Sequence, residues 1–444
     1  LLSVAARTGV QPDIAPGALG YGTRYRVTVD GAAASARGQA LGAPFTFEFT
    51  TPTVRLLQAD WQRRGNRYDR PVLLLLRFNQ PVSAAGLLPH LRVAHAPHAW
   101  SAPVLPSAGL PHALEADPRA AEAFASRVAA AAAAAASHAP VAVRATSEWD
   151  RKAFPPSGDL LVLETTTVPP PDTWLRIVVG TGARGAQGTE TPKEEAEKTV
   201  ELEPTLFVEG FRCETACDPE GYNPLRFRGR VAVSQARRAM RVADVTDPAA
   251  PRSLTPSRPA AGGDAGDGDE LDDHYGYDQT TGVTLEDAGF SAPPARTLAV
   301  TVDADLTAAD GQVLGYAWGG LVENWHRRAL AGFGGGHGVW EAGGGATLPF
   351  HVRNLRTVTQ WLQPLRVEEL MPALRALQDK SFDLAPGRPG ALRRLTTRPD
   401  VIQSVGFDLG PALSPAGLGL AWAAIKPGAA IPKAHQEARP PVRA

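Results

Sequence analysis

"GTRYRVTVDGAAASARGQAL", Gly22 to Leu41, decides the fold. Tyr25, Val27 and Val29 alternate with Arg26 and Thr28, the two-residue period of a strand with one buried face. A Gly/Ala/Asp turn then ends in Gly-Gln. The pattern returns in "DTWLRIVVGTGARGAQGTE" (Asp172 to Glu190) and in "ARTLAVTVDADLTAADGQVL" (Ala295 to Leu314). Tyr25, Leu175 and Leu298 fall at equivalent places. A second element recurs as well: "YDRPVLLLLRFNQPV" (Tyr68–Val82) and "YNPLRFRGRVAV" (Tyr222–Val233) each enter a strand through Tyr-Asx and a proline. Repeats separated by more than ~100 residues are domains in tandem, not solenoid units.

The composition agrees with short strands joined by turns. The chain has 444 residues with Gly 44 and Pro 40, which interrupt any helical pattern before it grows long. An all-β fold follows, and the length suggests several domains. The net charge is -1 and no basic run occurs, so nothing draws the chain to nucleic acid. The longest apolar run, "PVLLLLRF" (Pro71–Phe78), is strand-sized and far short of the ~20 residues that span a bilayer.

These signals map onto four segments. Residues 1–51 read as the C-terminal part of a β domain, ending in the edge strand "PFTFEFTTP". Residues 52–204, 205–346 and 347–444 read as further β domains, with Pro52 and Pro204 at the first two joins. Two insertions interrupt the pattern. "DPRAAEAFASRVAAAAAAAASH" (Asp117–His138) has an Asp cap, Pro at N1 and an alanine run, and predicts a helix on the surface of the second domain. "RPAAGGDAGDGDELDD" (Arg258–Asp273) reads as an acidic loop. "VEELMPALRALQ" (Val367–Gln378) predicts a second helix with Leu370, Leu374 and Leu377 on one face.

No segment carries the pattern of a catalytic, cofactor or metal site. "GFGGGHGVWEAGGG" (Gly332–Gly345) lacks the glycine offsets of a dinucleotide fingerprint and the Gly-Lys-Ser/Thr of a P-loop. It reads as a connector whose glycines permit positive φ, anchored by Trp340. His90, His95 and His98 have no helical metal-ligand spacing, because Pro89 and Pro97 break any helix, and they read as surface histidines. The acidic loop does not match the spacing of an EF-hand. No Gly-x-Ser-x-Gly occurs anywhere. Cys213 and Cys217, four residues apart, read as a local disulfide staple or as two free thiols. We expect a chain without enzymatic activity, cofactor or metal.

The first three units resemble bacterial Ig-like domains, through Thr23, Tyr25, Val27, Val29, Leu41, Phe45, Phe47 and Thr50 in the first. More narrowly, "RYDRPVLLLLRFNQPV", "GGGHGVWEAGGGATLPFHVRNL" and "IQSVGFDLGPALSPAGLGLAWAAI" (Ile402–Ile425) resemble the N-terminal region of bacterial alpha-2-macroglobulin-like proteins. That resemblance implies Ig-like and macroglobulin-type β-sandwiches. It also implies a parent protein that traps proteases, with further macroglobulin domains downstream in the same polypeptide. The family's thioester needs Cys-x-x-Gln, but Cys213 is followed by Glu-Thr-Ala and Cys217 by Asp-Pro-Glu, so neither carries it. No bait segment is assignable. A periplasmic or cell-envelope location, a membrane link only through an anchor outside this chain, and "EARPPVRA" as a linker to another domain belong to the same expectation. The rival expectation is a tandem Ig-like adhesin or ligand-binding module, which requires an exposed aromatic cluster. Trp318, Trp325 and Trp340 are its candidates.

Overall fold

The computed structural model describes residues 19–105, 118–214, 216–257, 279–334, 341–378, 390–434 and 442–443. The acidic loop 258–273, Asp117, His337 and Trp340 lie outside the described residues. The fold is all-β, a series of small sheets paired face to face, with few helices.

The opening motif forms a two-stranded hairpin, β1 (Arg24–Val29) and β2 (Phe45–Thr50), in antiparallel register with Tyr25 opposite Phe49 and Val29 opposite Phe45. The next stretch builds one sandwich. One sheet has the order β3 (Leu56–Arg63), β4 (Val72–Phe78), β7 (Leu160–Thr165), β6 (Val143–Ala145). The facing sheet has the order β5 (Leu91–Ala96), β8 (Trp174–Val179), β9 (Ala196–Glu201), and the one-turn helix α1 (Ala84–Leu87) leads into β5. The unbroken apolar run of β4 is explained by burial on both faces. Leu74, Leu76 and Phe78 meet Leu163, Leu175, Ile177 and Val179 in the main core. Leu73 and Leu75 point the other way, under Trp149, Phe154 and Leu160.

A second sandwich packs the sheet β10 (Val208–Phe211), β12 (Leu225–Ala232), β15 (Gln279–Val283) against a five-stranded sheet. The latter has the order β11 (Ala216–Cys217), β17 (Trp318–Asn324), β16 (Arg296–Val302), β13 (Met240–Asp244), β14 (Arg252–Leu254), and α3 (Val233–Ala239) connects β12 to β13. The third sandwich pairs β18 (Leu330–Gly332), β19 (Thr347–Arg353), β22 (Gln403–Asp408) with β21 (Ala391–Arg394), β20 (Thr357–Leu365), β23 (Leu420–Pro427), β24 (Val442–Arg443). Phe333, Phe350, Val358, Phe407 and Ile425 fill its core.

For its first and third copies the repeat read from sequence is a repeat of backbone geometry; in the second the equivalent turn bonds outward instead, Ala186 N to Pro81 O at 2.8 Å and Thr189 N to Gly22 O at 3.0 Å. In the first copy Ser35 N donates to Gln39 O at 2.8 Å, Leu41 N to Ala33 O at 2.8 Å and Gly42 N to Gly31 O at 2.9 Å. In the third, Ala308 N donates to Gln312 O at 2.8 Å, Leu314 N to Leu306 O at 2.8 Å and Gly315 N to Ala304 O at 2.7 Å. Gly38 (φ 82°) and Gly311 (φ 84°) hold the same left-handed corner, which an L side chain resists. The match extends to pairing: Tyr25 opposite Phe49 corresponds to Leu298 opposite Val322.

Three expectations change. The alanine-rich segment forms α2 (Pro118–Ala135), but its packed face does not lie on the sandwich that its flanking strands build. Phe124, Val128 and Ala131 pack against the core of the following sandwich, where Phe124 meets Phe207 and Tyr316 edge-on. The expected boundary at 346 falls inside the third sandwich, since β18 pairs with β19 and Phe333 is part of that core. The terminal segment read as a linker contributes β24, where Val442 pairs with Ile425. The helix α4 (Val367–Gln378) spans the expected residues. Glu369 reaches back to the Arg366 amide at 2.8 Å, the return half of a capping box.

Candidate functional site

Charged and aromatic side chains of the described residues converge at the junctions between sandwiches. Among the described residues, no three His, Cys, Asp or Glu side chains gather as metal ligands. His98 stacks on Trp174 with ring centroids 4.3 Å apart, and its Nε2 lies 2.8 Å from the Asp172 carbonyl oxygen. His95 is partly buried on β5, and burial pushes its imidazole down toward the neutral form. His90 is exposed at the turn before β5. Structure separates these three into packing and surface roles.

The first junction joins the sandwich of β3–β9 to that of β10–β17. The two cores meet between Leu202 and Leu206. Gln312 clamps the connection from both sides: its Oε1 accepts from Leu206 N at 3.0 Å and its Nε2 donates to Pro204 O at 2.9 Å. Across it lies α2. Phe124 meets Phe207 and Tyr316 edge-on at 5.9 Å and 5.1 Å, and Arg127 Nε donates to Leu206 O at 3.1 Å. Burial lowers the Arg127 guanidinium below its ordinary value and pushes the Tyr316 phenol up to about 12, so Tyr316 stays neutral and accepts from Val208 N at 3.2 Å. Arg228 Nη1 closes the outer side on Ser101 O at 3.0 Å. Just inside the earlier sandwich, Arg63 grips Glu203 in a fork, with Nη2 to Oε1 at 2.6 Å and Nε to Oε2 at 3.1 Å. Burial nevertheless raises the Glu203 carboxyl, outweighing the pull of Arg63.

The second junction joins that sandwich to the last. Cys213 and Cys217 are joined as a disulfide, with Cα atoms 5.2 Å apart. Cys217 ends β11, which lies parallel to β17 with Cys217 beside Asn324, and its carbonyl accepts from Trp325 N at 2.9 Å. Directly beyond it, Asp218 Oδ2 holds Arg328 Nε at 2.5 Å and Glu220 Oε2 holds Arg353 Nη2 at 2.6 Å. Arg353 is buried, so Glu220 supplies charge compensation inside the interface. On the other side Asp400 is a hub. It accepts from His326 Nδ1 at 2.7 Å, Arg327 N at 2.7 Å and Asn354 Nδ2 at 2.9 Å. Burial works against its ionisation, but these bonds outweigh burial and hold its carboxyl below the ordinary value. Lys433 pairs with Glu323 beside it.

The aromatic candidates fall differently from expectation. Trp318 is buried in a core against Phe211, Trp325 is half-buried, and Trp340 lies outside the described residues. Among the described residues the exposed aromatics include a row on β2, Phe45, Phe47 and Phe49, with Tyr25 stacked on Phe49 at 5.6 Å; Tyr21 and Tyr222 are exposed as well, outside that row. The alternation in "PFTFEFT" carried that signal. The charge pairs of the second junction had none, since partners more than 100 residues apart leave no local period. A cleft of about 1020 Å³ separates the hairpin from β9; it is lined by Arg24, Glu48, Arg55, Glu190, Lys193 and Glu194, of mixed sign.

No protein-family model matches the chain, and no curated protein matches it. Among solved structures the chain is similar to alpha-2-macroglobulin domains MG0-NIE-MG1 of Escherichia coli, at 13% identity and TM-score 0.26, covering 54% of this chain and 70% of that one. It is also similar to E. coli alpha-2-macroglobulin in its native conformation, at 13% identity and TM-score 0.28, covering 54% of this chain and 14% of that one. A third similarity is to the FN1–FN3 domains of chicken CNTN1, at 7% identity and TM-score 0.19, covering 88% of this chain and 96% of that one.

Proposed function

We propose that this chain is a non-catalytic scaffold segment of a bacterial alpha-2-macroglobulin-like protease trap, carrying neither thioester nor bait. Its work is spacing: it holds the trapping domains of its parent at a fixed distance and angle from an anchor in the periplasm or cell envelope. The sequence resemblance of Arg67–Val82 and Ile402–Ile425 supports the family reading. The observation that carries the scaffold reading is that both junctions between the sandwiches are held by side chains from each side, Gln312 and Phe124 at one, Glu220 and Arg353 at the other. Neighbouring domains otherwise move freely unless their interface is extensive.

The test has two parts. Reading the coding region on both sides should find an export signal or lipid-attachment cysteine upstream and Cys-x-Glu-Gln several hundred residues downstream. The parent protein, mixed with a protease, should block hydrolysis of large substrates while sparing small ones, and the present chain alone should leave both unchanged. Direct inhibition or hydrolysis by this chain alone would end the scaffold reading.

A second reading is favoured by one observation, the exposed row of Phe45, Phe47 and Phe49. Under it the chain is a surface adhesin or ligand-binding module that meets its ligand through β2. Binding to a glycan or protein panel that Phe47→Ala abolishes would favour this reading over the scaffold.

A further inference from the structure

The loop that bears the disulfide also bears half of the second junction, and that coincidence has a physical consequence. Residues 212–214 leave β10 and turn through Glu214 at φ 57°; residues 216–221 pair with β17 through the two residues of β11 and then present Asp218 and Glu220 to the last sandwich. A two-residue parallel pairing is a weak anchor by itself. Inside the turn the loop is tied by short bonds, Glu220 N to Asp218 Oδ1 at 3.0 Å and Asn223 Nδ2 to Asp218 O at 2.7 Å, which fix its shape but not its position. Position comes from Arg212 N, which donates to Pro224 O at 3.0 Å, from Cys217, buried in the core with its carbonyl held by Trp325 N at 2.9 Å, and from the covalent link that ties Cys213 to it. A disulfide that closes so short a loop constrains the unfolded chain least, so its main effect is local.

We propose that the Cys213–Cys217 disulfide is a redox-sensitive lock on the junction between the second and third sandwiches. Oxidised, it holds Asp218 against Arg328 and Glu220 against Arg353. Reduced, it releases Asp218 and Glu220 from their fixed positions, and the last sandwich turns on the 325–329 segment while both cores stay folded. The opposite side of the junction, Asp400 with His326 and Lys433 with Glu323, remains as the hinge.

The reductant is a dithiol. Its thiolate attacks Sγ of Cys213, the less buried sulfur, forming a mixed disulfide and releasing Cys217 as a thiolate that takes up a proton. The second thiolate of the reagent attacks the mixed disulfide, leaves Cys213 as a thiol, and departs as a cyclic disulfide. Two electrons and two protons pass from the dithiol to the protein.

Limited trypsin digestion of the whole chain reads the opening at Arg327 and Arg328. Oxidised protein should be cut there slowly, and dithiothreitol should speed cleavage at least five-fold. Asp218→Asn with Glu220→Gln should give the same acceleration in the oxidised protein, since it removes the contacts and keeps the bridge. Cys213→Ser with Cys217→Ser should match the reduced protein without reagent. Hydrogen-exchange protection of β16 and β17, in the second core, should be unchanged throughout. Equal cleavage of the oxidised, reduced and charge-neutralised proteins would overturn the lock. So would loss of protection in β16 and β17 on reduction of the wild-type protein, because the bridge would then be a staple of the second sandwich. If the serine pair does not fold, the dithiothreitol and charge-neutralised arms decide alone.

Discussion

The first hairpin and its twin in the second sandwich share turn, register and glycine corners, yet one face is open and the other is dry. Carrying Tyr25 onto Leu298 carries Val27 onto Val300, Val29 onto Val302 and Phe45 onto Trp318. Leu298, Val300 and Trp318 are buried beneath β10, β12 and β15, whereas Phe45 is 56% exposed. Local structure is therefore set by the repeat itself, through alternation and turn chemistry. Burial is set by whether a second sheet is present. Stability should follow burial, since transfer from water and not strand geometry dominates the energetics.

The sharpest way to break this comparison is to truncate equivalent residues. Trp318→Ala should cost about 3–5 kcal/mol, and Phe45→Ala at most about 1 kcal/mol, in urea unfolding of the whole chain. Equal losses would mean that the hairpin face is covered in solution.

The next effect belongs to the junction and depends on pH. Asp400 has its carboxyl depressed, so its contribution is present above the ordinary carboxylate range, near ~4, and is lost as pH falls through its lower folded value. Asp400→Asn should cost about 1–3 kcal/mol at neutral pH, the scale of a hydrogen bond to a charged group. The gap from wild type should close in acid, as followed by thermal melts across pH. A gap that persists unchanged however far the pH is lowered while the protein stays folded would remove the charge from the account.

A smaller effect tests the shared turn. Gly38→Ala and Gly311→Ala should each cost about 1 kcal/mol, because both glycines sit at positive φ. Gly311→Ala should cost the more of the two, since an added methyl meets the Arg67 guanidinium while that at Gly38 meets open space. The smallest belongs to the hairpin's polar face. Arg26 and Glu48 pair at 2.6 Å but are both exposed, so Arg26→Ala should change stability by less than about 0.5 kcal/mol by the same urea measurement.

What was legible in the sequence was what repeats at short range. Alternation located β1, β8 and β16, the apolar run located β4, and the spacing of Leu370, Leu374 and Leu377 located α4. What was not legible depends on distant partners. Nothing in the alanine run of α2 says that Phe124 completes a core built from residues 206–322. Nothing near Glu220 names Arg353, and the aromatic row on β2 read as an edge strand because alternation identifies a face without saying what covers it. The junctions, which carry the proposed function, are made almost wholly of such long-range pairs.

The loan of α2 to the following sandwich also orders the birth of the molecule. Synthesis is vectorial, and domains fold as they emerge from the ribosome. Residues 118–135 leave the ribosome before any strand of the sandwich they cap, so Phe124 and Ala131 wait as an exposed apolar face until Phe207 and Tyr316 arrive. The second sandwich thus receives part of its core from a segment made before it, and that core is complete only once both have emerged.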